Sequence, residues 1–432
     1  MLGSTAPSTA QAVADRGALH APKARLLWLS SADEPVADHM VRATLLDWNG
    51  EVVLGTRQCR ARTEGSPTDV DARASVELLS WKEGRSVSQF ESTDSGEMDW
   101  FAASLASTKS PIDATTRILV GRTWAWRDPG EVYVVYGEHH VERLMEGDQA
   151  GDNLGAAILT LRQGDEQFVL VGAPGAEATH LAPTAVNGAI HCLRVISNGF
   201  EPVGHLDGKP LLGQHLESLH VATPATDQHD WLATSEAAPG TGIESVVFLE
   251  LPGLKRAQVA QLNGADAGLQ TRIVRDLLRC DDVDRDGVDD MIVNLYEKQR
   301  DATNGRHRVV LVSAKSGAVL REWPASGPDV LALELGTVMG GEHPAFVRMS
   351  QRQSETSLML SGTIELCDID DGSVVTLPVE GPDGMQPVAL VRDGRSERVP
   401  ETTDFGVVFA RGAAANGSGT WLTRIARVAV NP

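Results

Sequence analysis

The chain has 432 residues, 42% of them hydrophobic and 22% charged, a globular balance that excludes a disordered polypeptide. Lys and Arg number 38 against 59 Asp and Glu, and the formal charge of −21 repels nucleic acid and anionic membrane surfaces while drawing cations and basic partners. No apolar run approaches the roughly 18 residues of a membrane-spanning helix. Cys59, Cys192, Cys280 and Cys367 stand at least 87 residues apart and offer neither CxxC metal spacing nor a disulfide framework, so they read as buried free thiols.

Residues 1–23 form an Ala/Ser/Thr/Pro-rich leader, expected to be disordered and lacking the apolar core of a secretory signal. A strand, Ala24 to Leu29, follows. Then a short apolar triplet capped by another residue, most often small or polar, recurs along the chain. Its copies are Val52-Val53-Leu54-Gly55, Ile118-Leu119-Val120-Gly121, Val169-Leu170-Val171-Gly172, Trp231-Leu232-Ala233-Thr234, Met291-Ile292-Val293-Asn294, Ala345-Phe346-Val347-Arg348 and Val407-Val408-Phe409-Ala410. Successive copies are 66, 51, 62, 60, 54 and 62 residues apart. Each precedes a polar loop and a second strand, such as Glu131 to Val135 or Arg308 to Val312. A tight turn often comes next, at Ser197-Asn198-Gly199, Lys315-Ser316-Gly317 or Asp371-Gly372.

Three or four short antiparallel strands recurring seven times predict an all-β fold, a seven-bladed β-propeller with blades of about 60 residues. One domain spans 24–432, with approximate blades at 38–95, 96–148, 149–208, 209–265, 266–326, 327–382 and 383–432. Residues 24–30 would close the ring by pairing near Ile425 to Val430. The alternatives are a pair of β-sandwiches, which lack such repetition, and a β-solenoid, whose coils are shorter.

The sharpest local motif is Asp282-Val283-Asp284-Arg285-Asp286-Gly287-Val288-Asp289-Asp290. Carboxylates at alternating positions converge when such a loop wraps a cation, and Gly287 allows the sharp turn. Asp282, Asp284, Asp286 and Asp290, with the carbonyl of Val288, form an oxygen shell suited to Ca²⁺. An EF-hand would need Glu where Val293 stands, and a helix where the Met291-Ile292-Val293 strand begins. A structural ion is expected, not a catalytic one. The similar Asp368-Ile369-Asp370-Asp371-Gly372 reads as a hairpin turn.

Gly151-Asp152-Asn153-Leu154-Gly155, Gly172-Ala173-Pro174 and Asn187-Gly188-Ala189-Ile190 resemble the FG-GAP (VCBS-like) repeat of integrin α-subunit propellers, with Leu154 in place of Phe. The family's calcium loop lies between its FG and GAP elements, and Asp282 to Asp290 sits just before the fifth triplet. The resemblance implies seven blades, calcium on one face and a protein or carbohydrate ligand on loops of the other. It also implies an adhesion-type, extracellular, cell-surface or periplasmic setting for a monomeric propeller. A weaker likeness, over Val312 to Trp323, runs to quinoprotein propellers.

No GxSxG, P-loop, HExxH or dinucleotide motif is present. His139 and His140 would point to opposite faces of a strand, and His205, His215, His220 and His229 lack ligand spacing. Trp124 and Trp126 could line a carbohydrate surface, but the nine tryptophans are expected mainly between blades. The reading is a non-enzymatic, calcium-stabilised interaction module. The alternative is a propeller enzyme, a polysaccharide lyase or quinoprotein-like protein, with its site at one mouth of the central channel.

Overall fold

The computed structural model describes residues 23–29, 43–60, 73–91, 101–112, 115–123, 129–136, 140–148, 151–175, 187–222, 230–239, 241–262, 268–300, 302, 304–324, 330–339, 344–353, 360–393, 404–412 and 421–431. Among these residues the chain is all-β, with no α-helix. Six sheets form. Antiparallel groups of four strands occupy residues 43–91, 101–146, 157–207, 216–259, 269–324 and 332–377, each strand pairing with the next in sequence. The 216–259 and 269–324 groups join into one sheet through a short parallel contact, Gly242 opposite Thr271 and Ile243 opposite Arg272. The last group combines Gln386–Leu390, Asp404–Gly412 and Trp421–Asn431 with the N-terminal strand Lys23–Leu29. Ala24 there lies opposite Val430. Thr271 to Arg279, the nearest approach to helical periodicity, lies within the strand Leu269–Cys280.

The apolar triplets are the second strands of their groups, flanked on both sides. Val169, for example, pairs with Thr160 on one side and Leu193 on the other. Val169, Leu170 and Val171 are all fully buried. Burial of both faces explains why these segments are continuously apolar instead of alternating.

The two faces of each group pack against different neighbours. Leu46 and Val53 meet Ile118 and Val120; Leu119 and Val134 meet Val169 and Val171; Leu170 and Cys192 meet Leu232 and Val247. Val246 and Phe248 meet Val293 and Val310; Ile292 and Trp323 meet Phe346 and Cys367; Val347 and Ile364 meet Val407 and Phe409. Finally Val408 and Ile425, near the C-terminus, meet Leu54 and Leu79 in the first group. Arg427 reinforces this last contact by donating to the Trp81 carbonyl at 3.3 Å, with its guanidinium 5.2 Å from the Trp81 ring centre. Trp48, Trp81 and Trp323 are buried in these layers, and Trp323 stacks edge-on against Phe346 at 5.0 Å. Cys192, Cys280 and Cys367 are buried free thiols in three different groups. Burial pushes the Cys192 thiol up to about 11 and that of Cys367 to about 12, which keeps both unreactive.

Two glycine contacts show how closely neighbouring groups approach. Gly172 ends the third triplet, and a Cβ placed on it would lie 1.9 Å from the Gly213 carbonyl oxygen. Gly121 ends the second, and its Cβ would lie 2.1 Å from the Gly155 carbonyl oxygen. Gly213 and Gly155 both adopt left-handed backbone and both follow a buried leucine, Leu212 and Leu154. The same Leu-Gly corner therefore seats its backbone on the preceding group's triplet glycine. Gly172→Ala is expected to force these backbones apart and cost about 1–3 kcal/mol, as overpacking does. Urea unfolding would show this as a lower midpoint, whereas Gly164→Ala, with open space around its Cβ position, tests only the cost of left-handed backbone.

Candidate metal centre

The Asp-rich loop connects the antiparallel strands Leu269–Cys280 and Asp290–Gln299, with Cys280 opposite Asp290 at its base. It is a β-hairpin loop, as the apolar triplet after it requires. Gly287 and Arg285 both adopt left-handed backbone and turn the chain back on itself.

Carboxylate oxygens of Asp282, Asp284 and Asp290 lie within 4.8 Å of one another. Local hydrogen bonds hold them. Asp282 Oδ1 accepts from the Asp286 N–H at 2.9 Å and Asp282 Oδ2 from the Gly287 N–H at 2.8 Å. Asp284 Oδ1 accepts from the Asp286 N–H at 3.2 Å. Asp290 Oδ2 accepts from the Val283 N–H at 2.8 Å. Asp290 is fully buried, and its Oδ1 meets no hydrogen-bond donor. Burial, with the Asp284 and Asp286 charges adding to it, pushes the Asp290 carboxyl up to about 7. An orphaned carboxylate oxygen beside two further carboxylates suits a hard cation, and the donor set fits Ca²⁺.

Asp286 is placed differently from those three. Its Oδ1 accepts from the Val288 N–H at 3.0 Å and its Oδ2 from the Ser313 hydroxyl at 3.1 Å. Val288 forms an isolated bridge with Val221, but Gly287 and Asp289 make the bonds that flank it, so that bridge does not use Val288's own peptide groups. Sequence spacing gave no sign of Ser313 or Lys315, whose ammonium donates to the Asp286 carbonyl. Both belong to the next hairpin of the same group.

The loop also docks on the preceding group. The Ala222 N–H donates to the Gly287 carbonyl at 2.8 Å, the Asp289 N–H to the His220 carbonyl at 2.9 Å, and the His220 N–H to Asp289 Oδ2 at 3.0 Å. Burial raises the Asp289 carboxyl, opposed by that N–H and by Arg279. Nearby, the Gln261 N–H donates to the Gly317 carbonyl at 2.7 Å. The Asp loop thus stands on the junction between the 216–259 and 269–324 groups.

Glu244 bridges the same junction. It is buried, and its Oε2 accepts from the Val274 N–H at 2.8 Å, beside a bulge in the strand. Burial pushes its carboxyl up to about 7, opposed by the Val274 bond and Arg275. A folded value above the unfolded one means that stability is full below about pH 4.5 and falls as pH rises through 7. Glu244→Gln keeps an oxygen for Val274 and removes the charge. The variant is expected to match the parent near pH 5 and to exceed it at pH 8, by up to about 3 kcal/mol; thermal melts across pH check this.

The other sequence candidates lie elsewhere. Asp368 Oδ1 accepts from the Asp370 and Asp371 N–H groups, both at 2.8 Å, and Gly372 is left-handed, so that segment is a hairpin turn. His215 contacts the Val274 carbonyl at 3.0 Å, and His220 contacts Asp230 at 3.4 Å. His139, His229, Trp124 and Trp126 lie outside the described residues. One further polar cluster combines Tyr133, whose hydroxyl donates to Glu131 at 2.6 Å, with Arg122 and Arg143, which pair with the same carboxylate at 2.8 and 2.9 Å. Burial and the Glu131 bond push the Tyr133 phenol up to about 12.

No family model matches the chain, and no curated protein does. Among solved structures, the polysaccharide lyase Uly1 aligns over 90% of both chains with a TM-score of 0.50 at 9% identity. A prolyl endopeptidase aligns over 72% of this chain and 40% of its own, with a TM-score of 0.36 at 14% identity. A variant of the Aleuria aurantia lectin, in complex with α-methyl-L-fucoside, aligns over 81% of this chain and 99% of its own, with a TM-score of 0.39 at 9% identity. At 9% identity the likeness to Uly1 is one of fold alone.

Proposed function

We propose that this chain is a seven-bladed β-propeller whose fifth blade holds a structural Ca²⁺, and that it serves as a non-enzymatic, adhesion-type interaction module. The metal reading rests on one observation above all: the buried, donorless Oδ1 of Asp290 beside the carboxylates of Asp282 and Asp284. The blade count is supported by the sequence of apolar layers, the last of which returns to the first group. Asp282, Asp284 and Asp290 would hold the ion, with Asp286 and the Val288 carbonyl as further oxygens. The ion would supply positive charge where the loop docks on its neighbour. Weak extracellular calcium modules work at roughly 10⁻⁴–10⁻³ M, which favours an extracellular, cell-surface or periplasmic setting. A protein or carbohydrate ligand would sit on loops at the strand ends away from the Asp loop. No helix among the described residues is long and apolar enough to cross a membrane.

Thermal unfolding with and without millimolar Ca²⁺ tests the site. At a hundredfold excess over Kd the ion should add about 2.7 kcal/mol, a rise of a few degrees for a chain of this size. Asp284→Ala should abolish the rise. An equal shift in parent and variant would remove the Asp loop from the reading.

The Tyr133, Glu131, Arg122 and Arg143 cluster favours a second reading, a polysaccharide lyase, because β-elimination needs a proton-transfer group beside cations. Against it, Glu131 already accepts the Tyr133 hydroxyl's hydrogen bond and pairs with both guanidinium groups. Under the module reading, uronate-containing polysaccharides should give no ultraviolet-absorbing unsaturated product. A product that forms with the parent and is lost in Tyr133→Phe would establish the lyase instead.

A further inference from the structure

A pair of histidines lies in the 157–207 group, outside the Asp loop. His191, on Ala189–Ile196, stands directly opposite His205, on Gly199–Asp207. Their Nδ1 atoms are 3.3 Å apart and their ring centres 4.6 Å. Two imidazole nitrogens bound to one tetrahedral ion at about 2.0–2.1 Å stand roughly 3.3–3.4 Å from each other. The pair already has that spacing.

The surroundings are those of a cation site. His205 Nε2 lies 2.8 Å from Asp207 Oδ1. A carboxylate on one ring nitrogen fixes that nitrogen as the donor and leaves the other, Nδ1, with its lone pair free to bind metal; this carboxylate–histidine arrangement is the usual support of a metal-bound imidazole. His191 is half-buried, and its strand partners Leu193 and Val195 pack on the preceding group. Asp148 and Asp152, on the chain that leads from that group, also act on the His191 ring, as does Asp207. His205 is exposed enough for an ion to enter.

We propose that His191 and His205 chelate a divalent transition ion of the Zn²⁺ class through their Nδ1 atoms, with Asp207 orienting His205. Without the ion, one imidazole donates its proton to the other across the 3.3 Å gap. On binding, the donating ring shifts to its other neutral tautomer, its Nδ1 proton lost to solvent and one taken up from solvent at Nε2, and the metal accepts the freed Nδ1 lone pair. Imidazole selects this class of metal over Ca²⁺, which prefers oxygen. The site is therefore chemically separate from the Asp loop. It is also placed differently: His191 opens a third strand and His205 nears the end of a fourth, so both lie at the strand ends opposite the first-to-second-strand connection of their group. The Asp loop is such a connection in its own group.

Calorimetric titration of ZnCl₂ into tag-free protein, with Ca²⁺ present to saturate the Asp loop, tests the assignment. One equivalent should bind. His205→Ala and His191→Gln should each weaken binding at least about tenfold, and Asp207→Asn by about 10–100-fold. Asp284→Ala should leave it unchanged. Absence of binding, or affinity unchanged from the parent in either histidine variant, would overturn the proposal. Should a variant fail to fold, Cu²⁺ electron paramagnetic resonance on the parent protein decides: hyperfine structure from two nitrogens supports the pair, and an oxygen-only signature overturns it.

Discussion

A four-stranded sheet with a doubly apolar second strand exposes two oily faces, and burial of both is the constraint on which this structure turns. Val169, Leu170 and Val171 illustrate it: alternate side chains leave opposite faces, and all three are fully buried. One group cannot satisfy this alone. Each must be sandwiched between two others, and the last must find the first. The N-terminal strand adds a covalently remote partner to the final group, through pairs such as Ala24 with Val430. The packing is tight enough that backbone meets backbone. At Gly172 and Gly121 the neighbouring group's carbonyl occupies the place of a side chain. The small residue after those two triplets is thus a requirement of the inter-group contact, not of the strand that carries it.

Much of this was legible in the sequence because burial on both faces writes itself as an uninterrupted apolar run. The Asp loop was legible for a related reason: short-range spacing determines which carboxylates can converge. What stayed hidden depends on contacts distant in sequence. The spacing of Asp286 matches that of its neighbours, yet its carboxylate faces Val288 and Ser313, the latter from a separate hairpin. Nothing local marks Gly213 as the partner of Gly172. His191 and His205 are fourteen residues apart, and only the register of their hairpin, shifted by a bulge after Cys192, sets them opposite one another.

Several interior carboxylates follow one pattern. Glu297 pairs with Arg272 at 3.0 Å and Arg308 at 3.1 Å, and Glu365 pairs with Arg348 at 2.9 Å. Glu236 meets Lys209 at 2.9 Å and Arg256 at 2.5 Å, and these cations hold it below its usual range in spite of burial. Each of these buried carboxylates is paired with a cation, which avoids the heavy cost of an unpaired buried ion.

Glu244 and Asp290 depart from it. Both are buried, burial pushes each up to about 7, and neither has a salt bridge among the described residues. Both also lie at the junction between the 216–259 and 269–324 groups. Their remaining contacts separate their fates. Glu244 has one oxygen committed to the Val274 N–H, and its Coulomb neighbour is a cation, Arg275, so taking up a proton is enough to relieve it. Asp290 keeps an oxygen without a donor and has the carboxylates of Asp284 and Asp286 as neighbours. One proton there would leave the neighbouring charges in place, whereas a divalent cation would answer all of them. The same junction thus contains one acid that is satisfied by protonation and another whose surroundings call for a metal.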